Sequence, residues 1–364
     1  MKNACGFVLA AGFGTRLRPL TSRLPKPMIR FFGAPLLDLA LFRFRSAGIS
    51  NIAVNAHYLA KEIESGLKAS PWGKDVKLSI EDPVILGRGG AYIPLRAWFG
   101  KKTIIAYNGD IISDIDVAAA LAHHRAKGAM ATMVVLPKPL GRDNAVYCAG
   151  DGRVGAIAKT PPAQGGPWTA RGFACLQILE PEFLDFLPPD GESDILNAYA
   201  QAISGGHVVT SFVHSGFWHD LGSPAQLLQA HIDLLEAGQA QEKTVSALGL
   251  DAFHEASHSS LAMISPGQTW QSPTGNLIVK GPSSVITGKG ALTASNAKSN
   301  AKIELGPLVV VEIGFSTSGP FKAGRAIIYR SANIDHMADH IGDHRGVHSN
   351  AIFDHSHLIR CDHA

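Results

Sequence analysis

CGFVLAAGFGTRLRPLTSRLPKPM, residues 5–28, is the stretch on which the fold turns. Its apolar opening, CGFVLAA (5–11), predicts a short buried strand. The strand leads straight into a glycine-rich loop and then to a lysine held between two prolines, Pro25-Lys26-Pro27. Gly12 and Gly14 let the backbone come close to a phosphate, and its N–H groups can line an anion cradle. Arg16 adds a permanent charge with bidentate geometry, and Lys26 a compact charge on a flexible stem. The flanking prolines restrict the backbone and so help fix where Lys26 sits. A dinucleotide fingerprint is excluded, because Arg16 and Leu17 stand where its third glycine belongs, and a P-loop fails for want of GK[ST]. What remains is a set of groups suited to holding a triphosphate.

Outward from this stretch, short apolar runs alternate with amphipathic ones. NIAVNA (51–56), VKLSI (76–80), TIIAYN (103–108) and MATMVVL (130–136) predict strands, and 36–47, 59–69 and 116–127 predict helices. The last of these places Val117, Leu121 and Ala122 on its apolar face and stops at Gly128. Such alternation argues for an α/β domain with a mostly parallel sheet. Residues 141–220 predict a more antiparallel portion, with GDGRV as a hairpin turn, and 224–237 a closing helix. Composition narrows the partners. With 33 Lys+Arg against 30 Asp+Glu the charge excess is too small to indicate nucleic acid. No apolar run is long enough to cross a bilayer, and the N-terminus lacks a signal-peptide pattern. Cys5, Cys148, Cys175 and Cys361 are widely spaced with no CxxC pair, so reduced thiols and a cytoplasmic location are expected.

Past residue 250 the period changes. Steps of six from Val279 reach Val285, Ala291, Ala297, Ile303, Val309, Phe315, Phe321 and Ile327, all apolar. At 46% apolar residues the chance of that run is roughly one in a thousand per frame. A second series runs Ile341, Val347, Phe353, Ile359. Hexads separated by small residues predict a parallel β-helix, in which neighbouring coils stack to bury their inner faces. The alternative is an irregular Gly/Ser-rich tail. His336, His340, His344 and His348 recur every four residues. On a helix they would share one face suited to Zn²⁺, but Gly342 and Gly346 disfavour a helix, and corner positions at a surface or interface fit the hexad rhythm better.

Taken whole, LAAGFGTRLRPLTSRLPKPM (9–28) closely resembles the signature of the sugar-1-phosphate nucleotidyltransferases, the NDP-sugar pyrophosphorylases. The resemblance extends over most of residues 1–235. EDPVILGRGGA (81–91) resembles the family's base-binding loop, YNGD (107–110) its metal-binding turn, VGAIAKTP (154–161) the place of its sugar-phosphate lysine, RGFACLQIL (171–179) the strand lining the sugar pocket, and GFWHDLGSPAQLLQA (216–230) the closing metal motif. By that resemblance Arg16 and Lys26 are the catalytic residues, gripping the nucleoside triphosphate and stabilising its α-phosphate. Leu9, Ala10, Ala11, Gly12, Gly14, Thr15, Asp82, Gly87, Gly89 and Gly90 line the nucleotide site. Asn144, Ala145, Lys159 and Gly172 take the sugar phosphate, and Asp110 and Asp220 bind Mg²⁺, a hard cation suited to carboxylates and phosphate oxygens.

Each carboxylate has a plainer alternative. Asp110 could be a turn residue, and Asp220 the N-cap of the helix that follows it. Two carboxylates at strand ends behind the phosphate loop favour the metal. Three departures stand out. Ala158 precedes Lys159 where the family has Glu, Asn144 and Ala145 replace its Gly-Val, and Arg88 occupies a loop that often reads Leu-Gly-Thr. Base choice is weakly marked: Glu81 or Asp82 could accept from guanine N1–H and N2–H₂, or be a solvated turn. The plan of transferase domain plus short hexad helix resembles GDP-mannose pyrophosphorylases, with uridylyl- and thymidylyltransferases sharing it. The resulting expectation is a Rossmann-like, mixed but mostly parallel α/β nucleotidyltransferase domain over 1–245 and a left-handed parallel β-helix over 246–364 that supports a homo-oligomer. A regulatory subunit that binds nucleotide-sugar without turnover is the rival, disfavoured by the presence of Arg16, Lys26, Asp110 and Asp220. No distinctive acyltransferase signature marks the hexad region.

Overall fold

The structure is a computed structural model that describes residues 3–141, 144–271, 277–287, 303–305, 309–312, 321–323, 326–328, 347–348, 351–354 and 357–361. The chain packs as two compact units. The first comprises Met1–Phe13, Leu24–Met28 and Leu36–Trp218, and the second Gly14–Arg23, Ile29–Pro35 and His219–Ala364.

Among the described residues of the first unit, nine strands form one sheet. They are β1 (Ala4–Leu9), β2 (Ile52–Ala56), β3 (Lys77–Ile80), β4 (Thr103–Asn108), β5 (Ala131–Leu136), β6 (Ala145–Cys148), β7 (Val154–Ala158), β8 (Thr169–Leu179) and β9 (Val209–Val213). The order is β7-β6-β8-β4-β1-β2-β3, with β5 joined to β8 and β9 to β5. β1 runs parallel to β2 and β4, β2 parallel to β3, and β5 parallel to β9. β8 is antiparallel to β4, β5 and β6, and β6 and β7 form the expected hairpin. The result is a Rossmann-like mixed sheet, parallel where helical crossovers join the strands and antiparallel around the long β8.

Burial explains the pattern. β1 points Val8 to one face and Phe7 to the other, and both are fully buried. The Val8 face is covered by α1 (Leu36–Ser46), α2 (Ala60–Ala69) and α3 (Val117–Ala126) through Leu37, Leu41, Phe44, Ile63 and Leu121. On the Phe7 face the rings of Tyr92 and Phe99 meet Phe7 edge-on at 5.0 and 5.6 Å, and α4 (Ile195–Ser204) adds Ile195 and Tyr199. Each large apolar side chain removed from water contributes about 1.5–3 kcal/mol, so a sheet covered on both faces needs near-continuous apolar strands. The expected apolar face of α3 is corrected in one place. Ala122 is exposed, and His124 takes the inward position, bonded to Thr132 Oγ1 at 2.8 Å and Glu180 Oε1 at 2.9 Å.

In the second unit, α5 (Pro224–Leu235) is capped by Ser223, whose Oγ accepts from the Gln226 N–H at 3.3 Å. Asp220 is therefore not its N-cap. Further along, two ladders of parallel pairs step through the chain. One joins Leu277–Lys280, Ile303–Leu305, Phe321–Ala323 and Val347–His348, and the other Ser283–Thr287, Val309–Glu312, Ala326–Ile328 and Ala351–Asp354. Ile303 stands opposite Phe321, as three hexads require, but Val279 stands opposite Leu305 and not Ile303. The ladders are flanked by antiparallel pairs, Ser260–Ile264 with Ser283–Thr287 before them and Ala351–Asp354 with His357–Arg360 after. Ile359 thus belongs to a returning strand opposite Ile352, off the parallel series. Ala291, Ala297, Phe315, Ile341 and the histidines His336, His340 and His344 lie outside the described residues.

Candidate active site

The first unit holds a cavity of about 250 Å³ at the C-terminal ends of β1, β2 and β4. This is where open α/β sheets bind ligands, because strand ends leave backbone groups unpaired. Leu9, Ala10, Ala11 and Gly12 form one wall, and a side chain at Gly12 would meet nothing within 4 Å. Asn108, Gly109 and Asp110 from the turn after β4, Lys26 and Pro27, and Asn55 of β2 also line it. Ile85, Gly87 and Arg88 join them from the loop after β3.

Lys26 is 8% exposed, and its Nζ lies 2.5 Å from Asp110 Oδ2. Asp110 is held by its neighbours: Tyr107 Oη donates to the Ile111 carbonyl at 3.0 Å and lies 3.1 Å from Ser113 Oγ, tying down the turn that carries it. Burial pushes the Tyr107 hydroxyl up to about 12, so it remains a donor. The Gly109 N–H bonds the Leu9 carbonyl at 2.8 Å, which seats the turn against the end of β1.

The cavity thus brings together Leu9, Ala10, Ala11, Gly12, Lys26, Gly87 and Asp110 of the residues expected from sequence. It does not draw in Asp82, Gly89, Gly90, Asn144, Ala145, Lys159 or Gly172. Gly89 and Gly90 are buried in the helical turn Gly87–Gly90, packed against 191–193. A Cβ at Gly90 would sit 2.4 Å from the Gly191 carbonyl oxygen and one at Gly89 2.7 Å from Ser193 Oγ, so packing alone demands glycine there. Asp82 is exposed. Glu81 is neither solvated nor open to a ligand: its Oε1 accepts from Asn55 Nδ2 at 2.6 Å and its Oε2 from the Leu86 N–H at 2.7 Å. Lys159 is exposed just beyond β7, with its carbonyl accepting from Tyr147 Oη at 3.2 Å. Asn144 and Ala145 open β6 half-buried, and Gly172 is buried in β8, where a Cβ would sit 2.7 Å from the Lys138 carbonyl oxygen.

Gly14, Thr15, Arg16 and Asp220 belong to the second unit. There Gly14 adopts a left-handed conformation, φ 62°, ahead of the short turn Thr15–Leu17. Its carbonyl accepts from Thr21 Oγ1 at 2.7 Å. A Cβ at Gly222 would come within 2.7 Å of Arg16 Nη2, so the glycine two residues past Asp220 makes room for the guanidinium. Sequence reasoning missed Asn55, Tyr107 and Gly222. The available signal for the first was a polar residue inside an otherwise apolar strand.

Comparison with known proteins settles the family. The sequence profile of the family described as Nucleotidyl transferase matches residues 5–237. The chain belongs to that family. Among curated relatives, the UTP–glucose-1-phosphate uridylyltransferase of Synechocystis sp. is 30% identical over 61% of this chain and 61% of its own length. The mannose-1-phosphate guanylyltransferase of Mycobacterium tuberculosis is 26% identical over 71% of each. This sugar-1-phosphate nucleotidyltransferase homologue thus spans about three-fifths of the first relative. A solved structure of a putative glucose-1-phosphate thymidylyltransferase from Bacillus anthracis superposes with a TM-score of 0.54 at 19% identity, covering 62% of this chain and 94% of that one. It supports the α/β fold. No helix among the described residues is long and apolar enough to cross a membrane.

Proposed function

We propose that this chain is an enzyme that condenses a nucleoside triphosphate with a sugar 1-phosphate to give an NDP-sugar and pyrophosphate. The observation that carries the reading is the cavity at the ends of β1 and β4, where the backbone of Leu9–Gly12 faces Lys26 and Asp110. A sugar-phosphate oxygen attacks the α-phosphorus in line, and the bond to the β-phosphate oxygen breaks as pyrophosphate leaves. Catalysis is positioning and neutralisation of charge, with no covalent work for the protein. Lys26 and Arg16 grip the triphosphate. Leu9, Ala10, Ala11, Gly12, Gly14, Thr15, Asp82, Gly87, Gly89 and Gly90 form or support the nucleotide site, and Asn144, Ala145, Lys159 and Gly172 the sugar-phosphate site.

Among the described residues no group of three His, Cys, Asp or Glu side chains could hold a metal by itself. Mg²⁺ asks less: it is commonly held by one or two carboxylates together with substrate phosphates, and Asp110 and Asp220 are hard oxygen donors of that kind. When bound, the ion supplies charge neutralisation on the phosphates. GTP with mannose 1-phosphate is the leading pair, and UTP or dTTP with glucose-type sugar phosphates the next. With both Glu81 oxygens engaged, Asp82 is the carboxylate left to meet a guanine edge. The chain divides as 1–245, the transferase domain, and 246–364, a left-handed β-helix that assembles a cytoplasmic homo-oligomer. The parallel ladders between Leu277 and Asp354 support the β-helix.

The test is pyrophosphate release with Mg²⁺, each nucleoside triphosphate and a panel of sugar 1-phosphates. Release with at least one pair is expected. No release with any pair removes the enzyme and leaves a regulatory nucleotide-sugar binder. Release that survives Asp110→Ala and Asp220→Ala together refutes the metal assignment.

A further inference from the structure

We infer that Asn55 and Glu81 are positioning residues that lock the phosphate-facing and base-facing walls of the cavity at one spacing. This inference rests on the nucleotide reading above. Asn55, at the end of β2, is 2% exposed, and Glu81, just past β3, is 4% exposed. Polar groups so deeply buried are expensive unless bonded, and these are. The Ala10 N–H donates to Asn55 Oδ1 at 2.6 Å, Asn55 Nδ2 donates to Glu81 Oε1 at 2.6 Å, and the Leu86 N–H donates to Glu81 Oε2 at 2.7 Å. Glu81 is itself fastened at its backbone, its N–H donating to the Ala56 carbonyl at 2.8 Å and its carbonyl lying 2.8 Å from His57 Nδ1.

The chain of bonds has a direction. Ala10 follows the last residue of β1, so its N–H has lost the ladder and needs an acceptor. Leu86 precedes the helical turn Gly87–Gly90, and its N–H is likewise an end group. The Asn55 amide accepts from the first amide and donates to the carboxylate that accepts from the second. Ala10 and Gly87 both line the cavity, one next to each end of this chain of bonds. A nucleoside triphosphate touching both is therefore measured against a span set by three short hydrogen bonds.

The polarity makes a sharp test through the variants Asn55→Asp, Glu81→Gln and the two combined. The first sets two carboxylates against each other. The second leaves an amide facing an N–H. In the combined variant the amide at 81 donates to the carboxylate at 55, which still accepts from Ala10, while the amide's carbonyl accepts from Leu86. All three bonds return with their direction reversed at the centre. Each single variant is expected to raise KM for the nucleoside triphosphate on the order of tenfold. KM for the sugar 1-phosphate and inhibition by inorganic tripolyphosphate, which lacks the base and ribose, are expected to stay within about twofold. The combined variant returns near the natural value.

The inference is overturned by singles that leave the nucleotide KM unchanged, by equal rises in both KM values, or by a combined variant no better than the worse single. Should the singles not fold, amide exchange in the natural chain decides: Ala10 and Leu86 are expected to be protected to a similar degree, and an unprotected one of the two sinks the idea. A natural chain that neither turns over nor binds any nucleoside triphosphate fails the functional reading and this coupling with it. A natural chain that turns over beside indifferent variants fails this inference alone.

Discussion

Lys26 enters the cavity on a backbone that Pro25 and Pro27 restrict, and its ammonium meets Asp110 at 2.5 Å. Each of the two neutralises the other, and in the proposed reaction a triphosphate would compete with Asp110 for the ammonium. Lys26→Met is expected to lower kcat by on the order of 10²–10³, the scale of losing one charge-stabilising group. Lys26→Met combined with Asp110→Asn should cost less than the product of the two single losses, since they act at one place. Pyrophosphate-release kinetics on the four proteins measure this, and fully multiplicative losses would separate the two residues functionally. Gly90 is decided by packing: a Cβ 2.4 Å from the Gly191 carbonyl oxygen forces a backbone to move. Gly90→Ala should destabilise the protein by about 1–3 kcal/mol in urea unfolding, and an unchanged midpoint would refute the contact. At this scale the glycine loop and Lys26, which line one cavity, stand out in sequence because they lie in one contiguous stretch. The engagement of Glu81 was not, since its partners Asn55 and Leu86 come from separate segments that only folding brings together.

Strands and helices of the first unit follow the apolar periodicity closely, because a sheet covered on both faces imposes short apolar runs and each helix an apolar stripe. The exceptions are polar groups that tertiary contacts draw inward. Arg43 in α1 is 8% exposed, and its guanidinium donates to the Ser113 carbonyl and, at 3.4 Å, to that of Ile115. Through them α1 supports the segment that follows Asp110. Arg43→Leu leaves those carbonyls without their donor and should cost about 3 kcal/mol. Chemical denaturation measures the loss, and a change below about 0.5 kcal/mol would show that the guanidinium carries no stability. His124 on α3 is the same lesson in miniature. A helical wheel prefers Ala122, but Thr132 and Glu180 supply the imidazole with partners on the inner side.

On the scale of the whole molecule, the second unit ties its distant segments through histidines. Phe32, with φ 46°, donates its N–H to His231 Nε2 at 3.1 Å, and its carbonyl lies 2.8 Å from His254 Nε2. His231 Nδ1 lies 2.8 Å from the Leu227 carbonyl and so carries the ring's one proton. Protonating Nε2 would set it against the Phe32 N–H. Burial holds His231 down at about 3 and also lowers His254. Because the folded value lies below the ordinary 6.5, stability from the neutral His231 is complete above about pH 6.5. It drains as pH falls towards 3, by up to about 1.4 kcal/mol per pH unit. Urea midpoints measured from pH 7.5 to 4.5 should fall, and His231→Phe should flatten the slope; an unchanged slope would refute the clamp. The proposed assembly predicts a solution mass that is a multiple of 38.6 kDa by sedimentation, and a monomer would refute it. The sequence by itself determined the family and the α/β class, because strand periodicity and a contiguous signature are written in neighbouring residues. Only the tertiary structure decided that Glu81 and Asn55 face each other, that Gly89 and Gly90 serve packing, and that the second hexad series ends in a returning strand. Those outcomes depend on hydrogen-bond partners and close contacts between segments far apart in the chain, which no local pattern encodes.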